Sequence, residues 1–173
     1  MNIHYYRRGF NLVELMTTVT VASILLAIGV PALNSVQLQI RAKSNISTIQ
    51  HSLQFARNMA INYGARVTVC PLVDEKCSTD WRSGYTIFLD TGISNQLDTE
   101  DTILKQISPF HANDIVQYNR KAVRFLPDGL ASGTNGTLTY CPEIHTSPYS
   151  KAVIVNQAGR VRYSTKKLIS CKK

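Results

Sequence analysis

The feature that most constrains this chain is the apolar segment from Phe10 to Val30, in which Glu14 is the only ionisable side chain. About 20 predominantly apolar residues suffice to cross a bilayer as a helix. Arg7 and Arg8 stand directly before the segment, and basic residues next to a membrane span stay in the cytoplasm. The sequence therefore predicts a single transmembrane helix over residues 10–30, with most of the chain outside the cytoplasm.

A cleaved secretory signal is the alternative interpretation of this segment. Such signals end in a small-x-small cleavage site, and the stretch "IGVPALNSV" that closes the segment lacks that pattern. Glu14 is a second argument for a retained, specialised helix, because a carboxylate in hydrocarbon costs at least about 2–3 kcal/mol and is rare without a function. We therefore expect Glu14 to have a partner or a task.

The pattern beyond Pro31 is that of an amphipathic helix. Apolar residues recur every three or four positions, which places them in one stripe on a helix. Gly64 provides a stop after Tyr63. We predict that a helix over residues 31–63 packs this stripe against a core. The stripe consists of Leu38, Ala42, Ile46, Ile49, Leu53, Ala56 and Ala60.

The remainder, residues 64–173, reads as short strands separated by turns. β-branched and aromatic residues dominate the strand segments, and Gly, Pro, Asp and Asn fill the breaks between them. We predict one β-rich, mostly antiparallel domain. The predicted strands are "RVTVCP", "GYTIFLD", "TILKQIS", "DIVQYN", "AVRFLP", "GTLTYC", "KAVIVN" and "RVRYS".

The N-terminal segment "RRGFNLVELM" resembles the class III signal of type IV prepilins. The resemblance implies that residues 1–9 are a leader peptide, that a prepilin peptidase cleaves between Gly9 and Phe10, and that Phe10 is then N-methylated. Cleavage would create an amine at Phe10, and Glu14 would pair with this amine in a neighbouring subunit as the helices assemble into a filament.

The motifs "VTVCP", "CSTDWRSGYTIFLD", "LDTEDTIL", "VRFLPDG", "TLTYCPE" and "AVIVNQAGRVRYS" follow in an order similar to that of the GspH/FimT family of minor pilin-like proteins. The resemblance implies an α+β, type IV pilin-like fold, with a long N-terminal helix packed on a C-terminal antiparallel sheet domain. It also implies a non-enzymatic minor pilin in the inner membrane, with its head in the periplasm and with major and other minor pilins as partners. A minor pseudopilin of a type II secretion system, or a structural minor pilin that primes assembly, is the alternative.

Four cysteines lie in the part predicted to be extracytoplasmic, where disulfides form. They are Cys70, Cys77, Cys141 and Cys171, and no C-x-x-C pair supports a zinc site. Three pairings are possible. We favour Cys70 with Cys77 and Cys141 with Cys171.

Metal binding and catalysis find little support in the sequence. The acidic stretch "DTGISNQLDTED" does not have EF-hand spacing. We expect Asp90 and Asp98 to organise turns there, and we predict no metal. The four histidines belong to no catalytic motif, so we expect neither enzymatic activity nor a cofactor.

Charge suggests a further partner. The chain has a net charge of +8, which becomes +6 once the leader takes away Arg7 and Arg8, and no acidic residue follows Glu143. Basic surfaces attract polyanions, and the pili of naturally transformable bacteria capture DNA. We therefore expect non-specific binding of double-stranded DNA during natural transformation. A solvated face, an acidic neighbouring subunit or anionic lipid are the alternatives. The expected DNA-binding residues are Lys151, Arg160, Arg162, Lys166, Lys167, Lys172 and Lys173.

Within this set, Arg160 and Arg162 alternate with Val161 and Tyr163. An extended backbone places alternate side chains on opposite faces, so both guanidinium groups should share one face and the apolar pair the other. Arginine can hold phosphate oxygens with two hydrogen bonds, whereas lysine acts mainly as a point charge.

Overall fold

The described part of the protein consists of one long helix followed by ten short strands and a single 3-10 turn. The computed structural model describes residues 11–131 and 133–172, without the side chains of residues 31 and 32. The elements are α1 (Leu12–Tyr63), β1 (Val67–Cys70), β2 (Leu72–Val73), β3 (Lys76–Cys77), a single 3-10 turn (Trp81–Ser83), β4 (Tyr85–Leu89), β5 (Thr102–Ile107), β6 (Ile115–Tyr118), β7 (Val123–Phe125), β8 (Gly136–Cys141), β9 (Lys151–Val155) and β10 (Val161–Tyr163).

The chain divides into two units. The N-terminal unit ends at Gln37, and the second unit, called the head below, begins at Leu38. In the first unit the apolar side chains from Leu12 to Val30, and that of Leu33, are exposed. By length and composition, α1 contains a stretch that could cross a membrane, with a mean hydropathy of 2.0. The residues expected to form the leader, together with Phe10, lie outside the described part of the chain.

The head buries the stripe of α1 predicted from the sequence. Six of its seven residues, from Ala42 to Ala60, are at most 3% exposed, and Leu38 is half-buried. Each full turn of an α-helix takes 3.6 residues, so residues at this spacing face the core together. The helix ends at Tyr63 because Gly64 adopts a positive φ of 59°, the left-handed conformation typical of a residue that follows a helix.

The strands form two antiparallel sheets. The first sheet has the order β5-β4-β1-β7, the second sheet has the order β10-β9-β8-β6, and β2 and β3 form a separate hairpin. All eight strands predicted from the sequence are confirmed, and the β2-β3 hairpin was not predicted. Alternate residues of the second sheet, including Val153, Val155 and Leu138, belong to the same core cluster as the helix stripe, so the opposite face of this sheet points away from the helix.

Aromatic side chains join the two sheets within this core. Trp81 is fully buried. Its ring centroid lies 5.7 Å from that of Tyr85 on β4 and 5.4 Å from that of Tyr118 on β6. Aromatic pairs at such separations contribute about 0.5–1.5 kcal/mol beyond the burial of their area. The 3-10 turn that carries Trp81 is therefore a structural element of the head.

Both disulfides favoured from the sequence are present. Cys70 and Cys77 link the end of β1 to β3, with an S–S distance of 1.94 Å. Cys141 at the end of β8 is joined to Cys171, with an S–S distance of 2.04 Å and a sequence separation of 30. The second disulfide fastens the C-terminal segment to the second sheet.

Candidate anion-binding face

Charge is distributed unevenly over the chain. Residues 38–113, which include the second part of α1 and β1 to β5, carry seven basic and seven acidic side chains. Residues 114–173, which include the whole second sheet, carry ten basic and three acidic side chains. The net positive charge of the head therefore comes entirely from residues 114–173.

Two of the three acidic residues in this part contact a basic residue of α1, and one of the two is buried. Asp114 is buried and accepts a hydrogen bond from Arg41 of α1 at 2.9 Å, and Arg41 also contacts Glu143 at 3.3 Å. Asp114 accepts a further hydrogen bond from the hydroxyl of Tyr140, which in turn accepts one from Asn45 at 2.8 Å. Burial first, and the hydrogen bond to Asp114 second, raise the pKa of Tyr140. Asp114 and Glu143 thus hold α1 on the second sheet through Arg41; the Asp114 side chain is fully buried and that of Glu143 is 46% exposed.

Arg160 lies in the turn between β9 and β10 with its side chain exposed, and the turn is held from two sides. The Arg160 N–H donates to Oδ1 of Asn156 at 2.8 Å. Gly159 has a φ of 73°, and a Cβ atom there would lie 1.8 Å from the carbonyl oxygen of Gly129. Arg57 of α1 donates to that same oxygen at 3.1 Å and to the Ala158 carbonyl at 3.2 Å. Glycine is thus required beside Arg160, because a side chain would both strain the turn and collide with its neighbour.

Arg162 and Lys151 point in opposite directions although both belong to the second sheet. Arg162 is exposed on β10, opposite Ile154 of β9, and both lie on the outer face. Lys151 has the same parity as the buried Val153, so it lies on the helix side. There Lys151 lines a groove with Lys43 and Tyr163. The structure therefore does not bring all the predicted DNA-binding residues onto one surface. Tyr163 lies on the same side of β10 as Val161, as predicted, although it is 44% exposed.

The C-terminal segment crosses the second sheet from one edge to the other. After β10, the Ser164 N–H donates to the Ala152 carbonyl of β9 at 2.8 Å. Lys166 and Lys167 follow and are exposed. The segment then reaches β6, where the backbone of Lys172 makes two hydrogen bonds with the Gln117 side chain. The Lys172 N–H donates to Oε1 of Gln117 at 2.8 Å, and Nε2 of Gln117 donates to the Lys172 carbonyl at 2.9 Å. Lys173 lies outside the described residues.

At β6, Lys172 borders a cleft of about 700 Å³ that also includes Arg120 and Lys121. Among the described residues, no carboxylate lines the cleft. The other lining residues are neutral and mostly polar, namely Thr79, Gln117, Tyr118, Asn119, Thr137, Thr139 and Ser170. The sequence signal for Arg120 and Lys121 was the basic stretch "NRKAVR", but its distance along the chain from Lys172 hid their proximity.

The acidic loop after β4 is organised by its own carboxylates. Asp90 accepts a hydrogen bond from Arg66 at 2.6 Å and a second from Thr68, and Asp98 accepts one from the Ile93 N–H at 2.9 Å. These are the turn-organising roles predicted for Asp90 and Asp98. Within the described residues, no group of His, Cys, Asp or Glu side chains has a metal-binding arrangement.

At the other end of the chain, Glu14 lies in the first turn of α1 with its side chain exposed. Gly9 and Phe10, the expected processing site, lie outside the described residues. Glu14 thus lies at the start of an apolar helix, and its expected pairing with a neighbouring subunit stays a prediction.

A long N-terminal helix, apolar at first and then buried in a head of antiparallel sheets, defines a type IV pilin-like protein. The family model described as "Type II transport protein GspH" matches residues 45–159. The chain belongs to this family. The match ends one residue before Arg160, so the basic C-terminal segment lies beyond it.

Solved structures agree with this fold. A crystal structure of the type IV minor pilin FimU from Pseudomonas aeruginosa PAO1 has a TM-score of 0.57 and 21% sequence identity, covering 76% of this chain and 90% of that one. A second crystal form of FimU gives a TM-score of 0.56 and 19% identity, covering 70% and 91% of the two chains. A comparison with curated proteins gave no match.

Proposed function

We propose that this protein is a minor pilin of a type IV pilus that binds double-stranded DNA non-specifically through its C-terminal basic segment during DNA uptake. The observation that carries the proposal is the charge division of the head. The part of the chain that forms the second sheet has ten basic and three acidic side chains, and two of the three carboxylates are bound to Arg41. This part of the chain is therefore left with a strong excess of positive charge.

The chemistry of this surface suits the backbone of DNA rather than its bases. Arg160 and Arg162 are exposed and separated by a single residue along the chain, and arginine can hold a phosphate with two hydrogen bonds. Contacts to phosphate carry no sequence information. Each neutralised phosphate releases counterions, so binding weakens steeply with salt. We expect weak binding that is independent of sequence and sensitive to salt.

The N-terminal part has the complementary role of anchoring and assembly. We propose that residues 1–9 are removed by a prepilin peptidase, that Phe10 is methylated, and that residues 10–30 anchor the protein in the inner membrane with residues 64–173 in the periplasm. Glu14 then pairs with the N-terminal amine of a neighbouring pilin. Mass spectrometry of the mature protein tests the processing step, and a chain that does not begin at Phe10 would refute it.

Gel-shift and anisotropy measurements on a fragment of residues 37–173, which contains the head, test DNA binding. The hydrophobic core of the described residues starts at Ala42, so this fragment retains it. Replacing Arg160 and Arg162 by Gln should weaken binding and reduce the slope of log K against log salt by about 1.8, because two phosphate contacts are lost. Replacing Lys166 and Lys167 by Gln should weaken DNA binding less than the arginine replacements do.

A matched control removes the same charge elsewhere. Lys76 on β3 and Lys105 on β5 are exposed in the part of the head without net charge, and their replacement by Gln should leave the slope unchanged. If the folded arginine variant binds like the parent, the C-terminal segment is not the site. If the parent itself does not bind at low salt, the protein is a structural subunit.

The family match favours a second candidate function, a minor pseudopilin of a type II secretion system, because the matching model describes a type II transport protein. Deletion of the gene separates the two. Loss of DNA uptake with normal protein secretion supports the pilus role. Loss of secretion with normal DNA uptake supports the pseudopilin role.

A further inference from the structure

We infer that DNA crosses the outer face of the second sheet from Arg162 to a second phosphate-binding point, the cleft formed by Arg120, Lys121 and Lys172. This inference rests on the proposed function and extends the site beyond the C-terminal segment. The ligand is the phosphodiester backbone of the same nucleic-acid molecule. Four properties of the described residues support this inference: the position of the cleft on the sheet, its charge, the hydrogen-bonding capacity of its lining, and the restraint on Arg120 and Lys172.

The register of the sheet places the two points at opposite ends of one row. Arg162 of β10 pairs with Ile154 of β9, and Ile154 pairs with Thr137 of β8. The Thr137 N–H donates to Oδ1 of Asn119, the residue after β6, at 3.0 Å, and Arg120 comes next in the chain. Neighbouring strands lie about 4.8 Å apart, so the row spans roughly 14 Å.

This span matches an extended polyanion. Duplex DNA carries one phosphate charge per about 1.7 Å of its axis, so roughly 14 Å of duplex presents about eight charges. A duplex that contacts Arg162 therefore has phosphates in reach of the cleft. A small anion bound at one end would leave the cations at the other end unused.

The cleft is suited to phosphate by its charge and its hydrogen bonds. Its three cations are accompanied by no carboxylate in the lining. The hydroxyl groups of Thr137 and Thr139 and the amide of Asn119 line it as well. Hydroxyl and amide groups commonly contact phosphate oxygens in protein–DNA complexes.

Two of the three cationic residues of the cleft are restrained by the protein. The Arg120 Nε–H donates to the carbonyl of Asn135 at 3.1 Å, which fixes the direction of the guanidinium group. The backbone of Lys172 is held by two hydrogen bonds with the Gln117 side chain and by the disulfide of the preceding Cys171 to Cys141, while its ammonium group stays exposed. Positioned charges lose less conformational entropy on binding than mobile ones.

The test uses the full-length chain in a non-ionic detergent and a fluorescent 20-base-pair duplex. The variant Arg120→Gln/Lys121→Gln is compared with the parent and with Lys76→Gln/Lys105→Gln, which has the same net charge. Because the replaced side chains are exposed, circular dichroism should show an unchanged fold for both variants. Anisotropy gives the dependence of log K on log salt for each protein.

The cleft variant should reduce the salt slope by about 1.8, as expected for two lost phosphate contacts, and the control variant should not. A folded cleft variant with the parental slope overturns the inference, while a reduced slope in Arg160→Gln/Arg162→Gln would still support the C-terminal site. Failure of the parent to bind refutes the proposed function itself. If the cleft variant binds DNA like the parent but loses binding to phosphatidylglycerol vesicles, the cleft faces lipid and the inference is wrong.

Discussion

The two disulfides should differ in what they contribute to stability, and the difference can be calculated from the structure. A disulfide restricts the unfolded chain, and the effect grows with the number of residues in the loop that it closes. Cys141 and Cys171 are 30 residues apart, whereas Cys70 and Cys77 are 7 apart. The chain-entropy relation gives about 3.6 kcal/mol for the longer loop and about 2.4 kcal/mol for the shorter one at 25 °C.

The comparison of the two disulfides is more informative than either value alone. Cys70, Cys141 and Cys171 are buried, whereas Cys77 is only half-buried, so replacement by alanine removes somewhat more buried sulfur at Cys141–Cys171 and the loss of packing acts in the same direction as the chain entropy. The variant without Cys141–Cys171 should therefore be less stable than the variant without Cys70–Cys77 by at least about 1.2 kcal/mol. Either loss is a large fraction of the roughly 5–15 kcal/mol that stabilises a typical domain.

Urea unfolding of the head, followed by fluorescence, measures both variants. Trp81 is the only tryptophan of the chain and is fully buried in the core, so its emission reports the loss of the whole core. Linear extrapolation then gives the free energy of unfolding of each variant. If removal of Cys70–Cys77 costs as much as or more than removal of Cys141–Cys171, restriction of the unfolded chain is not the main contribution of these bonds.

Three further predictions test other parts of the molecule. Gly159→Ala should destabilise the head by more than the roughly 1–2 kcal/mol that a positive φ costs, because the new Cβ would lie 1.8 Å from the Gly129 carbonyl oxygen. The control is Gly133→Ala, since Gly133 has a φ of 72° but open space around it. Equal urea midpoints for the two variants would contradict the reasoning. Glu14→Ala should leave the protein inserted in the membrane but reduce its incorporation into pili, and normal incorporation by immunoblotting of sheared pili would exclude the pairing. Burial raises the pKa of Tyr85 to about 12. The stability that the neutral Tyr85 hydroxyl contributes is therefore complete below pH 10 and is lost as the pH rises towards 12. Tyr85→Phe should flatten the fall in urea midpoint between pH 8 and 11, and an unchanged fall would refute this role of Tyr85.

The sequence predicted the large elements well because each has a local periodic signal. The helix stripe from Ala42 to Ala60 follows the 3.6-residue repeat and is buried throughout. The β2-β3 hairpin was missed because its strands have two residues each and its turn consists of Asp74 and Glu75, both with positive φ. Asn-Gly and Asp-Gly are the usual signals of such a turn, and glutamate is not one of them.

The candidate site was predicted only in part because it depends on contacts between distant parts of the chain. The exposed arginines could be recognised from their alternation with Val161 and Tyr163. The cleft could not, since the order β8-β6 and the Cys141–Cys171 disulfide bring Lys172 to Arg120 across more than fifty residues. The assignment of Lys151 to the same surface overlooked its parity with the buried Val153, which a strand pattern does contain.

Stability and anion binding are largely separate in this head. The carboxylates Asp114 and Asp90 are buried and pair with Arg41 and Arg66, and loss of one partner of a buried pair typically costs about 3–5 kcal/mol. The cations of the outer face, in contrast, are exposed, and exposed charges contribute about 0–1 kcal/mol. Basic residues of the outer face can therefore be exchanged with little effect on folding, so that changes in DNA affinity among such variants report contacts with DNA directly.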